Sequence, residues 1–200
     1  SLYGADLIHA NLTHADLTHA NLTGAILTDA ILTRAILTDA ILTRAILTDA
    51  NLYGASLTGA SLYSTYLTRA NLTNVDLTDA NLTHANLTRA NLYGANLTRA
   101  SLYGADLYNA DLTDATLTDA NLTNLLGNMK HIKTLQTDKY PVSYTTRVLQ
   151  IGCKKHSIEE WKNFDDETIS KMDRGALEWW AKWKPIIMQI IEMSPCEPTK

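Results

Sequence analysis

Two sets of residues have the types and spacing that could do chemistry. Cys153 and His156 are separated by two residues, the spacing of half a zinc site, and thiolate and imidazole are ligands that Zn²⁺ favours. A complete site needs a second pair. Only Cys196 and His131 could assist, and neither belongs to a pair with suitable spacing. The same two residues could act as nucleophile and base, but no oxyanion loop or orienting motif accompanies them. The second set is His9, His14 and His19, five residues apart. No Gly-rich phosphate loop, carboxylate pair or other catalytic constellation is present. The sequence predicts no catalytic residue, no cofactor and no metal site, and therefore a non-enzymatic protein.

Whether the three histidines could meet depends on the element that carries them. Leu occupies every fifth position from Leu2 to Leu122, and Ala stands two residues before nearly every one. A helix cannot use this pattern, because five residues at ~100° each leave successive leucines ~140° apart around the axis. A straight strand fails as well, since an odd period sends Leu to alternate faces. The chain must turn once per repeat, with Leu and Ala inward and the polar slots outward. Thr, common after Leu, suits short extended sides.

The units Ala5-Asp6-Leu7 and Ala10-Asn11-Leu12, continued through residue 125, resemble the A-(N/D)-L-x-x motif of the pentapeptide repeat family. The resemblance implies an all-β solenoid: a right-handed, four-sided β-helix with four repeats and 20 residues per coil. About six coils at ~4.8 Å spacing make a tube ~30 Å long. Consecutive repeats then lie on different sides, so His9, His14 and His19 diverge, and residues 20 apart stack. His9 is expected over Asp29, His19 over Asp39 and Asp49 over Arg69, with Asp79, Arg99 and Asp119 in one column. Thr65 and Val75 replace Ala, and Tyr66 fills a usual Asn/Asp slot, which predicts a bulge in the wall. Register is lost at Leu125-Leu126-Gly127, the boundary between a repeat domain (1–125) and a second unit (126–200).

Two surface features stand out. Tyr after Leu is usually followed by Gly, as in Tyr3-Gly4 and Tyr103-Gly104, which a steric need for room beside the ring would explain. Ile26, Ile31, Ile36, Ile41 and Ile46 replace the polar residue before Leu in five consecutive repeats. They should belt the tube, either as a tolerated duplication or as a contact surface.

Residues 126–200 hold all four Trp and no five-residue period. Val148-Leu149-Gln150-Ile151-Gly152 reads as a short strand. Ser157-Ile158-Glu159-Glu160 is a capping box opening a helix through Trp161 and Phe164. A second short helix, capped by Asp165 or Asp166, contains Ile169 and Met172. The longest is expected from about Gly175 to Met193, with Leu177, Trp180, Trp183, Ile187 and Ile191 on one stripe and a kink or restart at Pro185. The segment thus reads as a small, mainly helical module, resembling those on some bacterial and phage-borne pentapeptide proteins. An open β-helix end needs a cap, which is its expected role. Trp179, Trp180 and Trp183 are its candidate contact residues.

Charge separates the functional classes. The repeat domain carries 11 Asp against 5 Arg, a net of −6, and the second unit is near +2. Neither has the basic excess of a nucleic-acid binder. Some members of the family mimic DNA and act on gyrase, so that is the alternative reading. A ~30 Å length of B-DNA, however, presents on the order of 17 negative charges. The favoured expectation is a scaffold for an unknown protein partner, with a homodimer through the N-terminal coil. No long apolar run or signal peptide suggests a membrane or export, and two cysteines suit a cytoplasmic protein.

Overall fold

The computed structural model describes residues 1–199. Each repeat holds one residue in a parallel bridge, then a four-residue turn running Leu-Thr-X-Ala. The Ala N–H closes that turn on the Leu carbonyl, for example Ala10 to Leu7 at 3.0 Å and Ala25 to Leu22 at 3.0 Å. The X residue sits at positive φ, with His9 at 57°, Arg34 at 55° and Asp49 at 59°, the type II pattern. No β-branched residue occupies this slot anywhere in the tube, because a branched Cβ is least tolerated there. Gly, Asn, Asp and His meet the demand readily. Arg34, Arg44, Arg69, Arg89 and Arg99 hold the same conformation against a cost of about 1 kcal/mol each. Arg44→Asn should therefore raise stability by roughly 0.5–1 kcal/mol in urea denaturation; a lower midpoint would contradict this reading of the turn.

The coil length follows from the bridges. Asp6 pairs with Ile26, Asn11 with Ile31, Asp16 with Ile36 and Asn21 with Ile41, and the offset of 20 continues to Asp106 with Leu126. Each bridge is two-sided: Leu7 N–H donates to Ile26 O at 2.8 Å and Ile26 N–H to Ala5 O at 2.9 Å. A five-residue repeat against a 20-residue offset makes four columns, hence four sides. Leucines from Leu22 to Leu112 and the intervening alanines are buried in one continuous stack. Each buried Leu contributes about 1.5–3 kcal/mol before chain entropy is counted. Leu2, Leu7, Leu12 and Leu17 of the first coil are half-buried.

One expectation about the tube is corrected. No bulge forms at Thr65, Tyr66 or Val75. Tyr66 keeps both bridges, to Ile46 and Asn86, and Thr65 and Val75 close their turns at 3.1 and 3.2 Å. Thr65 fits because its buried hydroxyl donates to Leu42 O at 2.9 Å. Gly94 and Gly104, in two of the Tyr-Gly pairs, also face a side chain one coil earlier. Gly104 lies at φ +63°, and a Cβ there would sit 2.5 Å from His84 Nδ1. The glycine makes room for the side chain 20 residues earlier. His84 in turn lies edge-on between Tyr63 and Tyr103, at 5.9 and 5.6 Å. Gly104→Val, branched at positive φ and pressed on that ring, should cost about 2–3 kcal/mol by chemical denaturation.

Beyond residue 126 the chain forms a four-stranded antiparallel meander, β1 (Lys133–Leu135), β2 (Val142–Tyr144), β3 (Val148–Ile151) and β4 (Lys154–Ser157), in that spatial order. Helices α1 (Ile158–Asn163), α2 (Asp166–Ser170) and α3 (Ala176–Met193) follow. Only β3 was expected; β1 and β2 are three residues long, too short for alternation to register, and β4 holds no apolar residue. The helical starts agree with their caps. Ser157 and Glu160 form the capping box, and Asp165 accepts from Thr168 N–H at 2.8 Å. Helix α3 runs through Pro185 without interruption.

The module covers the tube, but with the sheet and not the tryptophans. Ile132 joins the leucine stack. Gln150 Oε1 on β3 accepts the Leu122 N–H at 2.9 Å, and Ser143 Oγ on β2 donates to Leu122 O at 2.6 Å. Asn128 Nδ2 donates to Ala110 O at 3.0 Å. Side chains stand in for the coil that would come next.

Candidate interaction surfaces

The isoleucines lie where the register predicts. Ile31, Ile36 and Ile41 are 40%, 44% and 42% exposed, and Ile26 and Ile46 are half-buried. Ile26, Ile46 and Tyr66 are successive partners in one column, with Tyr66 51% exposed. One face therefore carries three apolar rungs in a row, a continuity the linear sequence hides. The belt crosses the other three faces as single residues among Asn, Asp, Ser and Thr.

Charged stacking follows the same register. His9 and His19 lie 3.9 and 3.8 Å from Asp29 and Asp39. Arg69 binds Asp49 through Nε and Nη2, and Arg99 binds Asp79 at 2.7 and 2.6 Å. These hydrogen bonds hold the Asp49 and Asp79 carboxyls below the usual range. All are exposed pairs of small energetic worth. Asp119, the third member of the expected column, acts electrostatically on Arg99 and also pairs with Lys155 of the module at 3.3 Å.

Cys153, His156, His131 and Cys196 are distributed through the module. Cys153 is exposed in the turn between β3 and β4. His156 packs edge-on against Trp161 and Phe164 at 5.5 and 4.8 Å. His131 is buried against Asn128 at 2.9 Å, and burial lowers its pKa. Cys196 is buried with Sγ 3.4 Å from Tyr144 O. Among the described residues, no group of three His, Cys, Asp or Glu side chains is placed to hold a metal ion. No helix among them is long and apolar enough to cross a membrane.

The tryptophans are less open than expected of a contact face. Trp179 and Trp180 are 7% and 5% exposed, and Trp183 is half-buried. The α3 stripe predicted from spacing omitted Trp179. That residue is held by Asp138, which accepts from Trp179 Nε1 at 2.9 Å, Trp183 Nε1 at 2.8 Å and Lys182 Nζ at 2.6 Å. The Lys182 hydrogen bond is the main reason the Asp138 carboxyl titrates below its ordinary value. A depressed folded pKa means the contribution is complete above about pH 4 and is lost as pH falls through the folded value. The part of the tryptophan emission that depends on Asp138, read as the difference from Asp138→Asn, should be flat from pH 7 to about pH 4 and shift below it. In Asp138→Asn that acid-dependent step should be missing.

Comparison with known proteins closes the question of kinship. The pentapeptide repeat family, as an eight-copy repeat pattern, matches residues 1–39, 25–62, 45–83 and 85–124. The chain belongs to the pentapeptide repeat family. The match stops where the leucine period stops. No curated protein matches the chain. Among solved structures it is similar to HetL of Nostoc sp. strain PCC 7120, a pentapeptide repeat protein involved in heterocyst differentiation regulation. That pair is 36% identical over 63% of this chain and 61% of HetL, with a TM-score of 0.42. The chain thus spans about three fifths of HetL's length. A pentapeptide repeat protein of the Arabidopsis thaliana thylakoid lumen is 30% identical over 59% of this chain and 72% of that one, with a TM-score of 0.36. QnrB1, a plasmid-mediated fluoroquinolone resistance protein, is 19% identical over 64% of this chain and 84% of its own, with a TM-score of 0.33.

Proposed function

We propose that this pentapeptide repeat protein is a non-enzymatic scaffold that presents a right-handed, four-sided tube of about six coils to a protein partner. The observation that carries the reading is the apolar column Ile26, Ile46 and Tyr66, continued around the tube by Ile31, Ile36 and Ile41. Exposed, contiguous apolar area on a backbone pinned by bridges at every repeat is what a binding surface requires. The two unpaired thiols, Cys153 and Cys196, suit a reducing cytoplasm. The DNA-mimic alternative has less support, since Arg69 and Arg99 neutralise acidic positions in the stacked columns.

Replacing Ile31, Ile36 and Ile41 together with Thr keeps a β-branched residue in each bridge and removes the apolar belt. Melting should change by only a few degrees. Binding partners captured by the wild type should be lost in the triple variant. Unchanged capture would refute the belt, and inhibition of gyrase supercoiling by the wild type would favour the alternative.

A further inference from the structure

The face that carries Ile26, Ile46 and Tyr66 has a second property, the order of its charges. Along one corner of that face the positive-φ column runs His9, Asp29, Asp49, Arg69 and Arg89, one residue per coil. Acid occupies one half and base the other. Asp49 and Arg69 already pair with each other across the middle. The outer two are not satisfied in this way. Both are exposed. The ion pair of Asp29 is a long one, 3.9 Å from His9. The Arg89 guanidinium makes no ion pair among the described residues.

This order complements itself. A two-fold axis lying in the face, across the tube and midway between the Asp49 and Arg69 rungs, reverses a second tube and keeps each column opposite itself. Asp29 then meets the second copy's Arg89, Arg89 meets its Asp29, and Asp49 meets its Arg69. Moving the axis onto either neighbouring rung sets Asp49 against Asp49 or Arg69 against Arg69. A parallel pair would bring acid level with acid. Charge therefore selects one register, and shape agrees with it. Ile46 opposes the second copy's Tyr66, and Ile8, 44% exposed, opposes its Tyr108, 54% exposed. On the other corner Gly24 opposes His84 and Arg44 opposes Ser64, a short side chain against a long one each time. The one like-charge conflict lies at the ends, between Asp6 and the second copy's Asp106. We infer that the chain forms an antiparallel, side-by-side homodimer through this face, with Asp29 and Arg89 pairing twice across it. The inference rests on the reading of the Ile26, Ile46 and Tyr66 column as a contact surface, and names a second copy as its partner. Three residues wide and six rungs long, the face measures roughly 10 by 25 Å. That is well short of the ~800 Å² a side of a standard interface, so the dimer should be weak, with Kd on the order of 10–100 µM.

Sedimentation of the full chain from about 10 µM to about 1 mM should show reversible dimerisation. Asp29→Arg and Arg89→Asp each turn both Asp29–Arg89 contacts into like-charge pairs, and each should weaken the dimer at least about tenfold. Both residue types already occupy this turn position elsewhere in the tube, so each variant should keep the wild-type circular dichroism. Mixed in equal amounts, the two variants should recover the wild-type affinity as a heterodimer, because every contact is then again between opposite charges. A merely structural effect of either substitution would not be repaired by mixing. A monomer throughout the range, a dimer indifferent to either reversal, or losses that the mixture does not repair would each overturn the inference. A dimer built through the N-terminal coil would be the indifferent one. A monomer would leave the scaffold reading standing, since that reading is decided by capture on Ile31, Ile36 and Ile41, which lie on the other three faces.

Discussion

Leu62→Asp is expected to unfold the tube at 25 °C. Leu62 is 1% exposed, and its stacked neighbours Leu42 and Leu82 are fully buried. The substitution removes about 1.5–3 kcal/mol of apolar burial. It then places a carboxylate where no cation or donor can reach it, which costs several kcal/mol more even if the group protonates. Net stabilities of ordinary domains are only about 5–15 kcal/mol. The position multiplies the effect. In a solenoid each coil is stabilised by the coils on either side, so a failed middle coil leaves two short stacks with new open ends. Leu62→Met, which keeps volume and polarity, should lose less than about 1.5 kcal/mol. Circular dichroism and thermal melting check both. A Leu62→Asp variant with the wild-type spectrum and melting point would refute the inward leucine stack.

How much of this was legible in advance depended on the range of the interaction. The leucine period excludes a helix and a flat strand on geometry alone, so the tube could be read from residues such as Leu22 and Ala25. The 20-residue offset then placed Ile26 against Ile46 and Arg69 against Asp49. The positive φ of the turn was equally readable. The slot filled by Gly104, Asn74 and Asp29 never holds Val, Ile or Thr, which is the mark of positive φ. The crowding of Gly104 by His84, one coil away, leaves no mark on the local sequence. Thr65 was read as a defect because its partner, Leu42 O, lies 23 residues back.

The module was harder. In β3 the successive residues Leu149, Gln150 and Ile151 are all buried. The strand has the tube on one side and helices on the other, so no alternation marks its faces. A buried Gln between two apolar neighbours has no explanation until Leu122 is beside it. The same holds for the tryptophans: Trp161 and Trp179 come from two helices, and their indole hydrogen bonds go to Leu149 and Asp138. Neither partner shares a periodic pattern with the tryptophans it serves.

Gln150 therefore leads to the second large effect, which concerns the end of the tube. In the interior, Leu102 N–H donates to Asn121 O on the next coil. At Leu122 the chain has left the register, and Gln150 Oε1 accepts that N–H instead. Its amide also donates to Asn121 Oδ1 at 3.2 Å, Thr123 Oγ1 and Gly152 O at 3.2 Å. Ser143 Oγ serves the Leu122 carbonyl. In Gln150→Ala the Leu122 N–H would stay buried without a partner, a loss of about 1–3 kcal/mol. Adding Ser143→Ala orphans the carbonyl as well, and the pair should cost about 3–5 kcal/mol. Because both act on one peptide segment, the two losses should not add in full. The damage should also be local. Amide hydrogen exchange should accelerate across the last coil, roughly residues 107–126, while residues 27–87 keep their protection, as expected of a stack whose end has frayed. Uniform loss of protection along the whole tube, or no change at the last coil, would mean that the sheet does not cap the β-helix in this way.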